Sequence, residues 1–518
     1  VTMQRSEPHV AMRPMKSPEP IPQPPQIPPK LPAAERIVAR LGYLYGEDRA
    51  EPIARRVRRL LETHRQLRTR VLQGDLWTHR DLVLITYADS IQSSTHPPLQ
   101  TLHGFLNAHL ADAFSMVHVL PFFPWSSDDG FSVTDFRAVK TDLGGWEDIK
   151  RLAEDFDLAI DLVLNHCSRE NLWFIDYLFG DQPACDYFIE LDPSTNLSLV
   201  TRPRSTPLLS GVRTQTGMRY VWTTFSNDQI DLNYANPDVL IEFVDILLYY
   251  VRRGARMLRL DAVAYLWKTL GTSCIHLPQT HQVVKLFRDV LEIVEPAALV
   301  MTETNVPHAE NISYFGDGDE AHVIYQFSLP PLLLHALFAG TSRYLSDWAM
   351  QLQSFKKPKN CTYLNFTASH DGVGLRPLEG LVPKEQVNAM LDAMRSRGGY
   401  ISTKANSDGT DSPYELNISY FDAFREPEGD HSHAEQRATR LRDAERGVEG
   451  EGFDDQGEVE AARPPNPASA RKDLERGHTD AMIVEDLLAD ALVASEDETA
   501  RVAPGVGQAQ QLQVGNDV

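Results

Sequence analysis

The sequence predicts an α/β fold in which parallel strands alternate with helices and curl into a barrel, and three observations carry that reading. Short apolar, β-branched runs recur through the middle of the 518-residue chain, separated by helix-length amphipathic segments. That alternation is the signature of a parallel sheet. Four of the runs carry acids: Asp161 in Asp161-Leu-Val-Leu-Asn165-His166, Asp261 after Arg256-Met-Leu-Arg259-Leu, Glu303 after Ala298-Leu-Val-Met-Thr, and Asp371 with His370 after the run at 362–369. Acids at the ends of several strands converge on one rim of a barrel. Between Asn165 and Asp231 the alternation breaks into Pro, Ser and Thr turns, as a long insertion on that rim does.

Taken in order, residues 1–32 are proline-rich and polar, and read as a disordered tail. Residues 33–80 carry helical spacing (Ile37, Leu41, Ile53, Val57, Leu60, Leu61) with many arginines, which predicts helices on the outside of the barrel. The barrel spans 81–424, with strands over 82–87, 116–121, 158–164, 257–260, 299–302, 323–327 and 363–366. Helices are predicted over 99–110, 146–156, 237–253, 281–295, 332–338 and 383–395, and the inserted subdomain over 167–230. The third strand precedes the insertion. Past Phe424 the chain turns rich in Ala, Arg, Glu and Asp. Residues 484–493 suit one short helix, nothing there reads as a strand, and 425–518 is expected to be mostly disordered. Only seven barrel strands are visible, so a (β/α)8 barrel is expected to lack its eighth and to leave two open edges.

A formal charge of −22 argues against nucleic acid and against anionic membrane surfaces. The four cysteines (Cys167, Cys185, Cys274, Cys361) show no metal-ligand spacing and read as free buried thiols of a reducing cytosol. No apolar leader and no membrane-length stretch is visible, so a cytoplasmic protein is expected.

Converging carboxylates suit glycosidic bond chemistry. The strings that carry them extend further: Leu120-Pro-Phe-Phe-Pro-Trp-Ser-Ser-Asp128-Asp129-Gly-Phe, Asp228-Gln-Ile-Asp231-Leu-Asn, Gly271-Thr-Ser-Cys-Ile-His and Leu329-Pro-Pro-Leu-Leu-Leu-His335. With them, residues 81–424 resemble the α-amylase superfamily of retaining glycoside hydrolases, and within it the sucrose-phosphorylase branch. The resemblance implies a TIM barrel with Asp261 as nucleophile, Glu303 as general acid/base and Asp371 as the third acid, which steadies the transition state. It implies that His166 and His370 hydrogen-bond the glucose ring, and that Asp128 grips its outer hydroxyls at the blind end of a pocket. Arg259, two residues before Asp261 and on the same strand face, is expected to keep that acid ionised. Tyr265 is expected to wall the glucose pocket and Phe225 the acceptor side. For any one of these residues alone, a helix cap, a buried histidine or a core tyrosine is the commoner reading; their order and flanking strings favour the site. Relatives of this branch work without metal, so no metal and no cofactor is assigned.

A phosphorylase needs guanidinium groups for phosphate. Arg202-Pro-Arg204 resembles the branch's phosphate motif, with the second arginine in contact, and Tyr414 resembles a tyrosine on a mobile loop that approaches phosphate. The competing reading of the arginines is a basic surface turn. Three acceptor-side positions depart from sucrose phosphorylase: Asn305 replaces the usual histidine, Glu415 the usual glutamine, and Arg376 an apolar residue. Arg376 suits an acceptor bearing a carboxylate or phosphate, and Arg376-Pro-Leu-Glu-Gly looks most like the glucosylglycerate phosphorylases. Expected partners are therefore an α-glucoside, first glucosylglycerate, and inorganic phosphate; sucrose and sucrose 6′-phosphate stand as alternatives. The family's eighth strand, an arginine-bearing loop and a C-terminal β-domain find no counterpart after residue 424. The tail reads as a reading-frame shift or a lineage-specific truncation, which leaves an inactive or merely sugar-binding barrel as the reading from another class.

Overall fold

Seven strands form one curled parallel sheet in chain order: β1 (Leu82–Thr86), β2 (Met116–Val119), β3 (Asp157–Val163), β4 (Ala255–Asp261), β5 (Leu299–Thr302), β6 (Val323–Tyr325) and β7 (Thr362–Leu364). Each falls on an apolar run of the sequence. The computed structural model describes residues 24, 27, 28, 30–64, 75–405 and 410–424, with the backbone alone of 501–502 and 509–511. β3 and β4 sit at the middle of the sheet and their Leu, Ile, Val and Met side chains are fully buried. Burial on both faces is what continuous apolar strands require. The crossover helices, among them Trp146–Asp155, Pro237–Arg252 and Pro278–Val294, cover the outside.

The expectation that nothing beyond 424 is strand needs correction. Ala509–Gln511 pairs antiparallel with Leu82–Leu84 of β1, and Arg501–Val502 pairs with Ile91–Gln92. The outer edge of β1 offers unpaired N–H and C=O groups, and backbone alone satisfies them whatever the sequence. Among the described residues no strand joins β7 to β1, so the seven parallel strands curl without closing. The expected short helix at 484–493 lies outside the described residues.

Helices Ala33–Tyr45 and Glu47–His64 pack against one another and against Pro278–Val294. Their arginines are not all solvent-facing: Arg36 Nε and Arg40 Nε each donate to Asp289 at 2.7 Å, and all three side chains are buried.

After β3 the insertion builds its own small sheets. His166–Ser168 pairs antiparallel with Gln229–Asp231, and Leu209–Thr214 forms a hairpin with Gly217–Trp222. A further three-stranded sheet, not anticipated, joins Val373–Gly374, Tyr400–Ala405 and Asp411–Asn417. Tyr414 therefore stands on a strand and not on an irregular loop. The period-two burial of Tyr414 and Leu416, between exposed Pro413 and Asn417, explains it. Of the four free cysteines, Cys185 is half-buried and the other three are buried. No helix among the described residues is long and apolar enough to cross a membrane.

Candidate active site

At the centre lies Arg259, fully buried on β4. Its Nη1 donates to Asp161 Oδ1 at 2.5 Å and to Asp261 Oδ1 at 3.0 Å. Asp161 is not a rim residue: it sits inside β3, in register with Arg259, and its other oxygen lies 2.7 Å from His118 Nε2. Burial raises the Asp161 pKa, but His118 and Arg259 outweigh it and bring it to about 2. The expectation that Arg259 keeps Asp261 ionised is corrected by this sharing. Burial drives the Asp261 carboxyl well above the usual carboxylate range, Arg259 only partly opposes it, and neighbouring Glu303 adds to the rise. The guanidinium is committed first to Asp161, the nearer acid.

Asp261 ends β4, and Ala262 after it takes a left-handed backbone (φ +48°). That turn aims the Ala262 N–H at Glu303, just past β5, which accepts it through Oε2 at 3.0 Å. Burial, with Asp371 nearby, raises the Glu303 pKa despite Arg259. Asp261 and Glu303 thus form a buried carboxyl pair in which one proton is retained above the ordinary range. Asp371 differs: its side chain is 47% exposed, 3.4 Å from His370 Nε2. It lines a shallow cavity beyond β7 with Phe327, Phe366, Ile418 and Tyr420. His370 is buried beneath it, stacked on Phe131 at 5.4 Å.

Asp128 is exposed in a turn whose residues Asp128, Asp129 and Gly130 all have positive φ. The strain is held by side chains on the inserted subdomain. Asp228 accepts from Ser126 and Ser127, and Gln229 Nε2 donates to Asp128 Oδ2 at 2.7 Å. The same Gln229 nitrogen lies 3.2 Å from His166 Nε2, which bonds the Phe131 carbonyl. Burial lowers the His166 pKa, which favours a neutral ring. Phe225 packs between His166 and Tyr265, 5.4 Å from each ring. Burial pushes the Tyr265 phenol up to about 12. Beneath, the Lys268 ammonium bonds Asn165 Oδ1 at 2.8 Å and Asp231 Oδ2 at 2.5 Å. Among the described residues no group of three or more His, Cys, Asp or Glu could hold a metal ion.

On the inserted subdomain Arg204 lies over the Tyr414 ring, 5.3 Å to its centroid, with Nη1 buried and without a hydrogen-bond partner. Arg202 differs from its neighbour, because its guanidinium turns back onto the Ser205 and Thr206 carbonyls of its own loop. It braces the loop that presents Arg204. Glu415 follows Tyr414; burial and Asp371 push its carboxyl up to about 7, although Arg204 opposes. Arg376, in the turn Arg376–Leu378, faces Glu310 at 3.6 Å. Contacts and charge interactions thus link Asp261, Glu303, Arg259, Tyr265, Phe225 and Arg204, whereas the cavity beyond β7 is lined by Asp371 and by none of these six. Asp161, counted with the converging acids in the sequence, lies deeper than they do and serves Arg259. His118, Gln229 and Lys268 have no assigned role in the sequence, although Gln229 stands in the Asp228-Gln-Ile-Asp231 string.

The α-amylase catalytic domain family matches residues 113–375, half of the chain and all of the sheet from β2 to β7. The chain belongs to the α-amylase family. Within it, the chain is 52% identical over 364 residues to glucosylglycerate phosphorylase from Spirochaeta thermophila, covering 70% of this chain and 60% of that one. It is 48% identical over 367 residues to the Escherichia coli glucosylglycerate phosphorylase, covering 70% and 65%. The chain thus spans less than two thirds of the length of these two relatives. Among solved structures it is similar to sucrose 6F-phosphate phosphorylase from Thermoanaerobacter thermosaccharolyticum, with TM-score 0.58, 26% identity, and 67% and 72% of the two chains covered.

Proposed function

We propose that the chain is a retaining α-glucoside phosphorylase that transfers a glucosyl unit from glucosylglycerate to inorganic phosphate, giving α-glucose 1-phosphate and glycerate. The observation that carries this reading is Arg204, half-buried against Tyr414 with an unpartnered N–H, close enough for its charge to act on Tyr265 beside the carboxyl pair. Water needs no guanidinium, whereas a phosphate nucleophile does. The names of the relatives in two organisms support the same reaction and acceptor.

In the first step Asp261 attacks the anomeric carbon while Glu303 protonates the departing oxygen of glycerate. The raised pKa of Glu303 suits that role. Asp261 attacks as the carboxylate, its proton having passed to solvent, and Arg259 at 3.0 Å holds the anion. In the second step Glu303, now a carboxylate, takes the proton of the incoming phosphate, which Arg204 and Tyr414 hold as it displaces Asp261 from the glucosyl ester, and two inversions leave the α-anomer. Asp128, His166 and His370 hold the glucose hydroxyls, and Asp371 steadies the cationic transition state. Arg202 acts through its loop. A reducing, cytoplasmic setting suits four unpaired cysteines. A second reading, fructose 6-phosphate as the acceptor, is favoured by the likeness to sucrose 6F-phosphate phosphorylase, since Arg376 suits a phosphate as well.

The reaction run backwards tests both. The chain receives α-glucose 1-phosphate with D-glycerate, glycerol, fructose or fructose 6-phosphate, and phosphate release is followed. Release with glycerate alone is expected. Release with fructose 6-phosphate favours the second reading, and silence with all four removes both.

A further inference from the structure

On the acceptor side two cations are held off from their carboxylates at more than hydrogen-bond distance. The Arg376 side chain is only 12% exposed, and its Nε is buried with no hydrogen-bond partner. Its two acids stand off at 3.6 Å (Glu310) and 3.9 Å (Glu379). Glu310 is already engaged, because the same Oε2 lies 3.1 Å from His276 Nε2, whose other nitrogen meets the Tyr314 hydroxyl at 2.9 Å. Glu379 is 55% exposed and is shared through one oxygen with Lys404 Nζ at 3.8 Å. Lys404 is itself largely buried, and burial together with Arg376 lowers its pKa. Arg376 and Lys404 therefore share one solvated carboxylate, Glu379, at distances beyond a normal hydrogen bond. Asn305, two residues past Glu303, adds an Oδ1 that is buried and unpartnered. It lies against Gly374, two residues before Arg376, where a Cβ would stand 2.2 Å from that oxygen.

We propose that Arg376 and Lys404 together form a two-cation seat for a carboxylate on the sugar acceptor, with Asn305 accepting from the acceptor's hydroxyl. The seat is separate from Arg204, which serves the phosphate nucleophile. Arg376 lies toward the reacting side, since Gly374, two residues before it, packs against Asn305, two residues past Glu303. Lys404 is the residue that distinguishes an anionic acceptor from its neutral isostere. It arrives on the strand Tyr400–Ala405, far in sequence from any catalytic acid. The inference rests on the phosphorylase reading and assigns its acceptor chemistry.

The test is equilibrium binding by calorimetry in the presence of glucose, with D-glycerate against glycerol, on the full chain and on Lys404→Gln and Lys404→Arg. Charge-assisted contacts predict at least about a tenfold preference for glycerate over glycerol in the wild type. Lys404→Gln is expected to lose most of that preference and Lys404→Arg to keep it. Equal binding of the two ligands by the wild type, or an undiminished preference in Lys404→Gln, overturns the proposal. A variant that fails to show the wild-type thermal transition leaves the decision to the wild-type preference and its weakening by salt. Exchange of labelled phosphate with α-glucose 1-phosphate, run without any acceptor, separates the two readings. No exchange with glycerate preference intact counts against the phosphorylase alone.

Discussion

Glu303, the proposed general acid, is one of the more costly residues to fold. Glu303→Gln is expected to lower turnover by about 10²–10⁴, the usual range for a general acid. Its effect on stability has the opposite sign. The folded protein holds the protons of Glu303 and Asp261 above their unfolded values, so stability falls as pH rises from the acid range through the raised pKa. Glu303→Gln is thus expected to melt higher than the wild type at pH 8, with the gap closing toward pH 4.5; thermal melts across pH check it. Asp161 runs the other way, since its depressed pKa gives stability that is present above about pH 4 and lost as pH falls toward about 2. Glu415 supplies a functional titration. Its carboxyl is protonated below about 7, and above that its charge opposes phosphate at Arg204. The ratio of phosphate KM in wild type to that in Glu415→Gln is expected to climb from pH 6 to pH 8, a comparison in which phosphate's own titration cancels.

The turns that carry these side chains differ in how much they tolerate. Gly130 has φ +114° and a Cβ there would meet the Pro121 carbonyl oxygen at 2.6 Å. Backbone must shift, so Gly130→Ala is expected to cost about 1–3 kcal/mol in urea unfolding and to loosen Asp128. At Gly374 the added methyl meets only the end of the Asn305 side chain. Gly374→Ala is expected to leave the unfolding midpoint nearly unchanged while raising the KM for the acceptor, as steady-state kinetics would report. The seven barrel strands were legible because each is an apolar run between helical periods. The sheet of Val373–Gly374, Tyr400–Ala405 and Asp411–Asn417 was not, because its strands carry few apolar residues, are partly exposed, and one of them contains Pro413. Lys404 went unseen for that reason, whereas Arg376 was noticed from its flanking string.

Across the whole molecule, the N-terminal helices are tied to the barrel through several acids, of which Asp289 is the one shared by two arginines. Arg36 and Arg40 both bond Asp289, and Arg40 also reaches Gln282 at 2.8 Å. Asp289→Ala leaves buried guanidinium charge without its main partner and is expected to cost about 3–5 kcal/mol, seen as a lower urea midpoint. Such pairings span the chain, 253 residues in the case of Arg36 and Asp289, and no local pattern announces them. The same holds for Arg259 with Asp161: the strands were readable, but their register, which decides which acid the arginine serves, was not.

The bond from the Ala262 amide to Glu303 has a consequence for what can vary around it. The donor belongs to the peptide unit that leaves Asp261, so the main chain itself ties the end of β4 to the acid just past β5. A backbone donor is present whatever ordinary side chain stands at 262, so the surrounding side chains can be exchanged while that tie is kept.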